Sequence, residues 1–529
     1  MSPNPSARFF TGIFISILLF ALLAAAGCTS QDRTTAVQSS FETELSTITR
    51  APRYANAGWG IIVVDPATGR TLYERNADQM YVPGSTTKLF SSAAVLEALG
   101  PDYRFRTPVY AAVAPGSGGT LDGDLVLVAS GDLSMGGRTL PDDTIAFTDI
   151  DHGDANSLEG AILTPTDPVA GLDNLASQVK ASGITQVSDV IIDDRLFATT
   201  DLGKPNVISP IVINDNLVDI TITPGASGIA PSLAMRPQTT AYRLVNKMTT
   251  GPAGTPLAVG MNEDPTGTIV VSGTIGADAG PVNQTYSVKT PAAFARTLFI
   301  EALERQGIDV TAQAIGDNPA NKLPKAGSYD SARKVAELTS PPLSEDVKLT
   351  LKVSQNLHAD TYISLVATSS NKTSFYDGMK EEGRILKSLG LETSSLSLGD
   401  GEGGVSEDRI SPRAAAQLLT LMTKRPYAEK YAKALPILGV DGSLASSCSA
   451  GNPACGHVYA KTGTTGTYDP LNDRGILLAK SLAGYVDTKK GNRLVFAVYA
   501  NNMPMSDMND MMAVGDDLGS VAGLIYKYY

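Results

Sequence analysis

The two ends of this 529-residue chain share a pattern that its middle lacks, and this division constrains the fold more than any other feature. Both ends combine strand-like hairpins with long apolar helical stretches, whereas residues 107–326 form short β-like runs separated by Gly, Pro and Asp. The chain is about three times as long as a typical domain of roughly 150 residues. This length and the divided pattern together predict one α/β domain in two parts, 56–106 and 327–529, interrupted by mostly-β domains. We expect two nested inserted domains, the inner one over roughly 222–285.

Apolar periodicity predicts the main helices. They are expected at roughly 36–50, 85–99, 167–182, 290–306, 343–369, 375–389, 412–424 and 506–528. A terminal hairpin is expected from Leu482–Val486 and Leu494–Tyr499, which flank a Lys-Lys-Gly-Asn turn. Strands and a helix at both ends of the chain favour one domain to which both ends contribute, with Trp59 in its core.

Residues 1–27 have the layout of an export signal. One basic residue, Arg8, precedes an apolar run that ends in small residues before Cys28. A cysteine in this position resembles a bacterial lipoprotein cleavage site, so we expect an acylated Cys28 to anchor the chain to a membrane. A tether and a possible helix follow over 28–55. An uncleaved membrane anchor and ordinary cleavage are the alternatives, and all three place the protein outside the cytoplasm, in the periplasm or at the cell surface.

The other two cysteines agree with an oxidising compartment. Cys448 and Cys455 flank Gly451-Asn452-Pro453, a sequence that favours a turn. A disulfide between them is the leading interpretation, and two buried free thiols are the alternative. Three Cys and three His in the whole chain make a metal centre of these residues unexpected, and we expect no metal and no cofactor. The net charge of −12 argues against a nucleic-acid partner.

The first chemical motif is Ser85-Thr86-Thr87-Lys88, which opens a helix after a Pro-Gly break. A serine hydroxyl needs an adjacent base to become a nucleophile, and a lysine whose pKa is lowered by burial can be that base. A three-residue offset places both side chains on one helix face, where free backbone N–H groups can stabilise an oxyanion. Capping of the helix is the alternative role of Ser85. The same spacing recurs in pairs that we interpret as surface coincidences, Ser177/Lys180, Ser331/Lys334 and Ser369/Lys372.

Two further motifs follow in order along the chain. Ser354-Gln355-Asn356 offers a hydroxyl and a carboxamide, which can relay a proton and bind a peptide carbonyl. Lys461-Thr462-Gly463 offers a cation and a hydroxyl to a substrate carboxylate, and its glycine lets a ligand backbone come close. The second pattern is weak alone, since Ser369-Ser370-Asn371 repeats it. All three motifs in this order, on helix, helix and strand, form a much rarer pattern.

The order S-x-x-K, S-x-N and K-T-G resembles the signature of penicillin-binding proteins and serine β-lactamases. Flanking sequences resemble the class C low-molecular-weight penicillin-binding proteins, the D-alanyl-D-alanine carboxypeptidase/endopeptidase family. These sequences are Asp194–Phe197, Asn214–Asn216, Thr221–Gly225, Ser340–Ser344, Gly439–Ser443 and Leu482–Val486. The resemblance covers roughly residues 55–529. The 266 positions between Lys88 and Ser354 agree with it, because that family carries large extra domains there.

The resemblance implies an α+β fold of the penicillin-binding-protein/serine β-lactamase type, with helices around a five-stranded antiparallel sheet. It implies that the chain cleaves peptidoglycan stem peptides through an acyl-enzyme and that β-lactams such as penicillin inhibit it. The implied roles are nucleophile for Ser85, base for Lys88, proton relay for Ser354, substrate and Lys88 contact for Asn356, carboxylate binding for Lys461 and Thr462 beside Gly463, and an oxyanion hole from the N–H groups of Ser85 and Thr464.

Several positions depart from the family pattern. Gly84 stands where relatives usually have Ala, and Asp360 where they often have Glu. The loop Asp400–Ser406 is one residue longer than usual, and extra residues Thr465–Ala479 separate the K-T-G motif from the next strand near the rim of the cleft. The alternatives to a carboxypeptidase or endopeptidase are an esterase or β-lactamase of the same fold and an inactive peptidoglycan-binding module.

Two groups of residues outside the motifs could also carry chemistry. His358 follows the second motif on the same helix, and we interpret it as a structural or rim histidine rather than a catalytic one. The acidic run Asp149, Asp151, His152 and Asp154 is interpreted as a solvated surface loop, with a cation site as the alternative.

Overall fold

The structure is a computed structural model that describes residues 37–116 and 118–529. The expected export signal and Cys28 lie outside the described residues, so their assignment stays a prediction. Within these ranges, no helix has both the length and the apolar character that a membrane crossing requires.

Most predicted helices are present, with ends within a few residues of the expected ones. The helices are α1 (37–49), α2 (Lys88–Leu99), α3 (Ala170–Ala181), α4 (Pro291–Arg305), α5 (Leu343–Val353), α6 (Asn356–Ser369), α7 (Phe375–Ser388), α8 (Pro412–Met422), α9 (Ala428–Ala434) and α10 (Met508–Tyr528). The strands are β1 (Gly58–Asp65), β2 (Arg70–Arg75), β3 (Arg106–Ala111), β4 (Thr120–Leu121), β5 (Leu125–Val128), β6 (Gln186–Val187), β7 (Val190–Asp193), β8 (Leu217–Thr223), β9 (Ser232–Arg236), β10 (Arg243–Gly251), β11 (Ala258–Glu263), β12 (Thr268–Gly276), β13 (Val282–Ser287), β14 (Asp309–Val310), β15 (Lys334–Thr339), β16 (Leu396–Ser397), β17 (Arg409–Ile410), β18 (Val458–Asp469), β19 (Arg474–Asp487) and β20 (Arg493–Met505).

Both ends of the chain build one five-stranded antiparallel sheet in the order β18–β19–β20–β1–β2. Side chains alternate between its faces, as the pleat of a strand requires. Ile62 packs into a core shared with α2 and α8, and Ile61 packs into a second core with α1 and α10. Trp59 is buried in the second core. The predicted α/β sheet, covered by helices on both faces, is thus confirmed.

The stretch predicted as one helix over 343–369 is divided in two. Ser354 ends α5 in the left-handed region, with φ of 64°, and the Gln355 side chain caps α6 by accepting a hydrogen bond from Leu357 N. The apolar periodicity runs through the break because both helices bury their inner faces, so the pattern alone hides it. The second motif therefore lies on a tight turn between two helices.

The middle segment, residues 106–339, has its own sheets and its own core. One sheet has the order β15–β3–β5–β7, and α3 and α4 pack into the same core. Because β15 pairs with β3, we propose that the second part of the α/β domain begins after Thr339 rather than at 327. The nested inner domain over roughly 222–285 stays a prediction.

The extra residues after the K-T-G motif lengthen a hairpin and do not form a separate insert. Strand β18 continues to Asp469 and β19 begins at Arg474, so most of Thr465–Ala479 is paired strand. Strand β20 follows β19 as far as Met505. The sheet therefore projects beyond the K-T-G motif as three long strands.

The structure pairs Cys448 with Cys455 in a disulfide whose Cα atoms are 6.0 Å apart. The bridge closes a short loop between α9 and β18. Cys448 also lies against Gly439, where an added Cβ would come within 2.7 Å of the Cys448 Cβ.

The double variant Cys448→Ser/Cys455→Ser is expected to lose about 2 kcal/mol of unfolding free energy, because a short cross-link restricts the unfolded chain modestly. Chemical denaturation of wild type and variant measures the difference. A reductant should lower the stability of wild type to that of the variant and leave the variant unchanged. Equal stability of oxidised wild type and variant would show that the disulfide does not form.

Candidate active site

The first motif lies where the chain turns from the sheet into α2. Gly84–Thr87 form a short 3-10 turn, and Lys88 begins the helix and is fully buried. Lys88 Nζ lies within hydrogen-bond distance of three oxygen atoms: Ser85 Oγ at 2.9 Å, Asn356 Oδ1 at 2.7 Å and the Glu402 carbonyl at 3.0 Å. Burial lowers the pKa of Lys88, although Glu402 and other nearby carboxylates oppose the shift. A buried amine with a lowered pKa therefore contacts the serine hydroxyl.

The second and third motifs meet on the other side of the same site. Lys461, also fully buried on β18, donates to Ser354 Oγ at 2.9 Å. Burial and the nearby Lys88 hold the pKa of Lys461 well below its ordinary range. The left-handed turn at Ser354 thus lets Ser354 contact one buried lysine while Asn356 contacts the other. The structure brings together all five residues predicted to act in catalysis.

The third motif packs directly against the first. A Cβ added to Gly463 would lie 2.2 Å from the Pro83 carbonyl oxygen and 3.1 Å from Ser85 N, so only glycine fits. A Cβ on Gly84 would lie 2.7 Å from Thr464 N, and Gly84 has φ of 53°. These close approaches place the N–H groups of Ser85 and Thr464 near each other. They also explain why glycine stands at position 84, where relatives usually have Ala.

The polar side chains around the K-T-G motif are also held in place. Thr462 Oγ1 lies 2.9 Å from the Ser443 hydroxyl, and Thr464 Oγ1 accepts from Lys480 Nζ at 3.0 Å. Ser443 lies in one of the flanking sequences, but no role was predicted for it from the sequence. Burial lowers the pKa of Lys480 to about 8.

A buried ion network lies beneath the second motif and corrects one expectation. Asp151 and His152 are buried, not solvated, and Arg138 donates to both carboxylate oxygens of Asp151 and to Asp215. His152 lies 2.7 Å from Asp215. Asp151, His152 and Asp215 lie close enough together to hold a metal ion, but the Arg138 guanidinium already pairs with the carboxylates of Asp151 and Asp215. The prediction of a solvated loop was wrong because the partners that pair with these residues, Arg138 and Asp215, are distant in sequence.

Asp215 connects this network to the second motif. It accepts from Gln355 Nε2 at 3.0 Å and lies 3.0 Å from His358 Nε2. Burial opposes protonation of His358, but the carboxylates of Asp346 and Asp215 raise its pKa to about 10. His358 is therefore buried between two carboxylates and does not lie at the rim, and its structural role stays an interpretation. Asp215 itself lies within three successive residues with positive φ, Asn214–Asn216, which is rare backbone for residues other than glycine.

Asp154, from the same acidic run, is a carboxylate of the middle segment that interacts electrostatically with both buried lysines, Lys88 and Lys461. Burial raises its pKa to about 6.

These features define the chain as a serine acyl-transfer enzyme with the penicillin-binding-protein and serine β-lactamase fold. Residues 41–520 match the model of the D-Ala-D-Ala carboxypeptidase 3 (S13) family. Because the match spans most of its length, the chain belongs to this family, and it is a serine-type carboxypeptidase.

Individual relatives agree with this assignment. The D-alanyl-D-alanine carboxypeptidase of Actinomadura sp. (strain R39) is 29% identical over 515 residues, which are 92% of this chain and 86% of that protein. The penicillin-sensitive carboxypeptidase A of Dictyostelium discoideum is 25% identical over 488 residues, 87% of this chain and 86% of the relative. The crystal structure of penicillin binding protein 4 (dacB) from Haemophilus influenzae shares the fold, with a TM-score of 0.69 at 19% identity, over 91% of this chain and 99% of the other.

The contact between Gly463 and the first motif generates a test. Gly463→Ala is expected to lower the rate of D-Ala release from a D-Ala-D-Ala peptide at least about tenfold, because β18 must move away from Ser85. Gly466→Ala is the matched control on the same strand, since its Cβ would meet only the Ile476 carbonyl oxygen at 3.4 Å. Equal rates for the two variants would contradict the packing described here.

Proposed function

We propose that the chain is an exported D-Ala-D-Ala carboxypeptidase or endopeptidase that cleaves peptidoglycan stem peptides through an acyl-enzyme on Ser85. The observation that carries the proposal is the buried Lys88 amine, 2.9 Å from Ser85 Oγ. The names of the relatives support the substrate and the sensitivity to penicillin. The N-terminal sequence supports export, with a lipid anchor on Cys28 as part of the same proposal.

The surroundings of Lys88 explain how it would act as a base. Asn356 Oδ1 and the Glu402 carbonyl oxygen can only accept hydrogen bonds. A neutral amine has two N–H bonds, and donating both of them to these acceptors leaves its lone pair directed at Ser85 Oγ. Lys88 then takes the Ser85 proton as Oγ attacks the carbonyl carbon of the penultimate D-Ala.

The remaining residues would complete the acylation step. The N–H groups of Ser85 and Thr464 stabilise the oxyanion, and Lys461 and Thr462 bind the terminal carboxylate beside Gly463. Ser354, held by Lys461, relays to the amine of the leaving D-Ala the proton that Lys88 took from Ser85, so that Lys88 is neutral again when the peptide bond has broken. Water then hydrolyses the ester and restores Ser85. A β-lactam would follow the same path as far as the ester, because its ring amide stands in for the scissile peptide bond.

Labelling with a fluorescent penicillin tests the proposal. Wild type is expected to form a covalent adduct that survives denaturation, and Ser85→Ala is expected to form none, because no other hydroxyl contacts the Lys88 amine among the described residues. Ser331→Ala, which alters the serine of another S-x-x-K sequence, should label like wild type.

Three other results would contradict the proposal. Equal labelling of Ser85→Ala and wild type would remove Ser85 from its role. Absence of labelling together with tight binding to isolated peptidoglycan would favour an inactive binding module. Rapid hydrolysis of the penicillin would favour a β-lactamase.

A further inference from the structure

The loop Asp400–Gly404 forms one wall of the site and carries the third hydrogen-bond partner of Lys88. Its Glu402 carbonyl accepts from Lys88 Nζ, and its Gly401 carbonyl accepts from Ser91 Oγ of α2 at 2.8 Å. A Cβ on Gly403 would lie 2.0 Å from the Gly84 carbonyl oxygen. The loop is therefore packed against the turn that presents Ser85, and a displacement of the loop would alter the surroundings of Lys88.

A cluster of charges holds this loop. Lys204 Nζ lies 2.7 Å from a carboxylate oxygen of each of Asp360, Asp400 and Glu402. Asp400 accepts from the backbone N–H groups of Glu402, Gly403 and Gly404, and Asp360 accepts from Gly401 N. The three carboxylates thus shape the loop, and their mutual repulsion is offset by one ammonium. Lys204 is only 16% exposed at its side chain and comes from the middle segment.

We propose that Lys204 is a positioning residue for the serine reaction: it holds the Asp400–Gly404 loop so that the Glu402 carbonyl keeps the lone pair of Lys88 directed at Ser85. This role rests on the proposed function. It also gives the middle segment a part in the chemistry, because the ammonium that orders the loop lies outside the α/β domain.

The charges around Lys88 fix the direction of the expected pH effect. Lys88 is faced by the carboxylates of Glu402, Asp360 and Asp400 with Lys204 among them, by Asp154 of the middle segment and by Lys461 of β18. Behind the loop, Glu382 of α7 and Asp408 face Asp400. Burial and Glu402 raise the pKa of Asp360 to about 7, although Lys204 opposes the shift.

Lys88 is a base only as the neutral amine, so the acylation rate rises with pH through the pKa of Lys88. Removing the Lys204 charge leaves the carboxylates uncompensated and favours the Lys88 ammonium, which raises that pKa. Removing the Glu402 charge has the opposite effect. The two changes therefore shift the rising limb of the pH profile in opposite directions.

The experiment measures the second-order rate constant of acylation by a fluorescent penicillin, from pH 5 to pH 10, for the purified protein. Lys204→Met is expected to lower this rate constant at neutral pH by about tenfold or more and to shift the rising limb to higher pH. Glu402→Gln, which can still accept a hydrogen bond from Lys204, is expected to shift the limb to lower pH. Lys204→Arg, which keeps the charge, should restore most of the rate and the wild-type limb.

Lys322→Met is the matched control. Lys322 also lies in the middle segment and pairs with two carboxylates, Asp124 and Asp189, but it has no contact with the loop. The Lys322→Met variant should therefore show the wild-type acylation rate constant and pH profile. The proposed role of Lys204 is wrong if Lys204→Met acylates with the wild-type rate and pH profile. It is also wrong if Lys204→Met and Glu402→Gln shift the rising limb in the same direction. If Lys204→Met fails to fold, Lys204→Gln, which removes the charge but keeps a polar side chain, is measured in its place with the same expected results. Absence of acylation in wild type would overturn the proposed function and this role with it.

Discussion

The site depends on the burial of one amine, that of Lys88, among three hydrogen-bond partners from separate parts of the chain. Ser85 comes from the turn that starts α2, Asn356 from the first turn of α6, and the Glu402 carbonyl from the loop before β17. Burial lowers the pKa of the amine, and the three partners determine where its protons and its lone pair point. In the proposed mechanism, these two conditions make a lysine a directed base.

The middle segment takes part in the site through charged side chains that reach the α/β domain. Asp215 contacts Gln355 and His358 beneath the second motif, and Lys204 binds the carboxylates that shape the loop beside Lys88. Asp149 accepts a hydrogen bond from Gly442 N, one residue before Ser443. Buried ion pairs of this kind contribute little net stability but penalise any arrangement that leaves one partner unpaired. They therefore fix how the two parts of the chain meet around the site.

The sequence predicted the parts of this structure that depend on local pattern. Strand alternation and helical periodicity located the sheet and most helices, and the order of three short motifs located Ser85, Lys88, Ser354, Asn356 and Lys461. It did not predict what depends on distant partners. Nothing near Lys204 distinguishes it from a surface lysine, and Asp151 and His152 resembled a solvated loop because Arg138 and Asp215 lie elsewhere in the chain. The left-handed Ser354 was hidden because the apolar periodicity continues through it.

The central claim is that the neutral Lys88 amine directs its lone pair at Ser85. Neutron diffraction from deuterium-exchanged crystals, at a pH where the enzyme is fully active, locates these hydrogens directly. The account predicts two deuterons on Lys88 Nζ, directed at Asn356 Oδ1 and the Glu402 carbonyl oxygen, and a Ser85 hydroxyl deuteron directed at Nζ. Three deuterons on Nζ under those conditions, or a Ser85 deuteron that points to another acceptor, would contradict it.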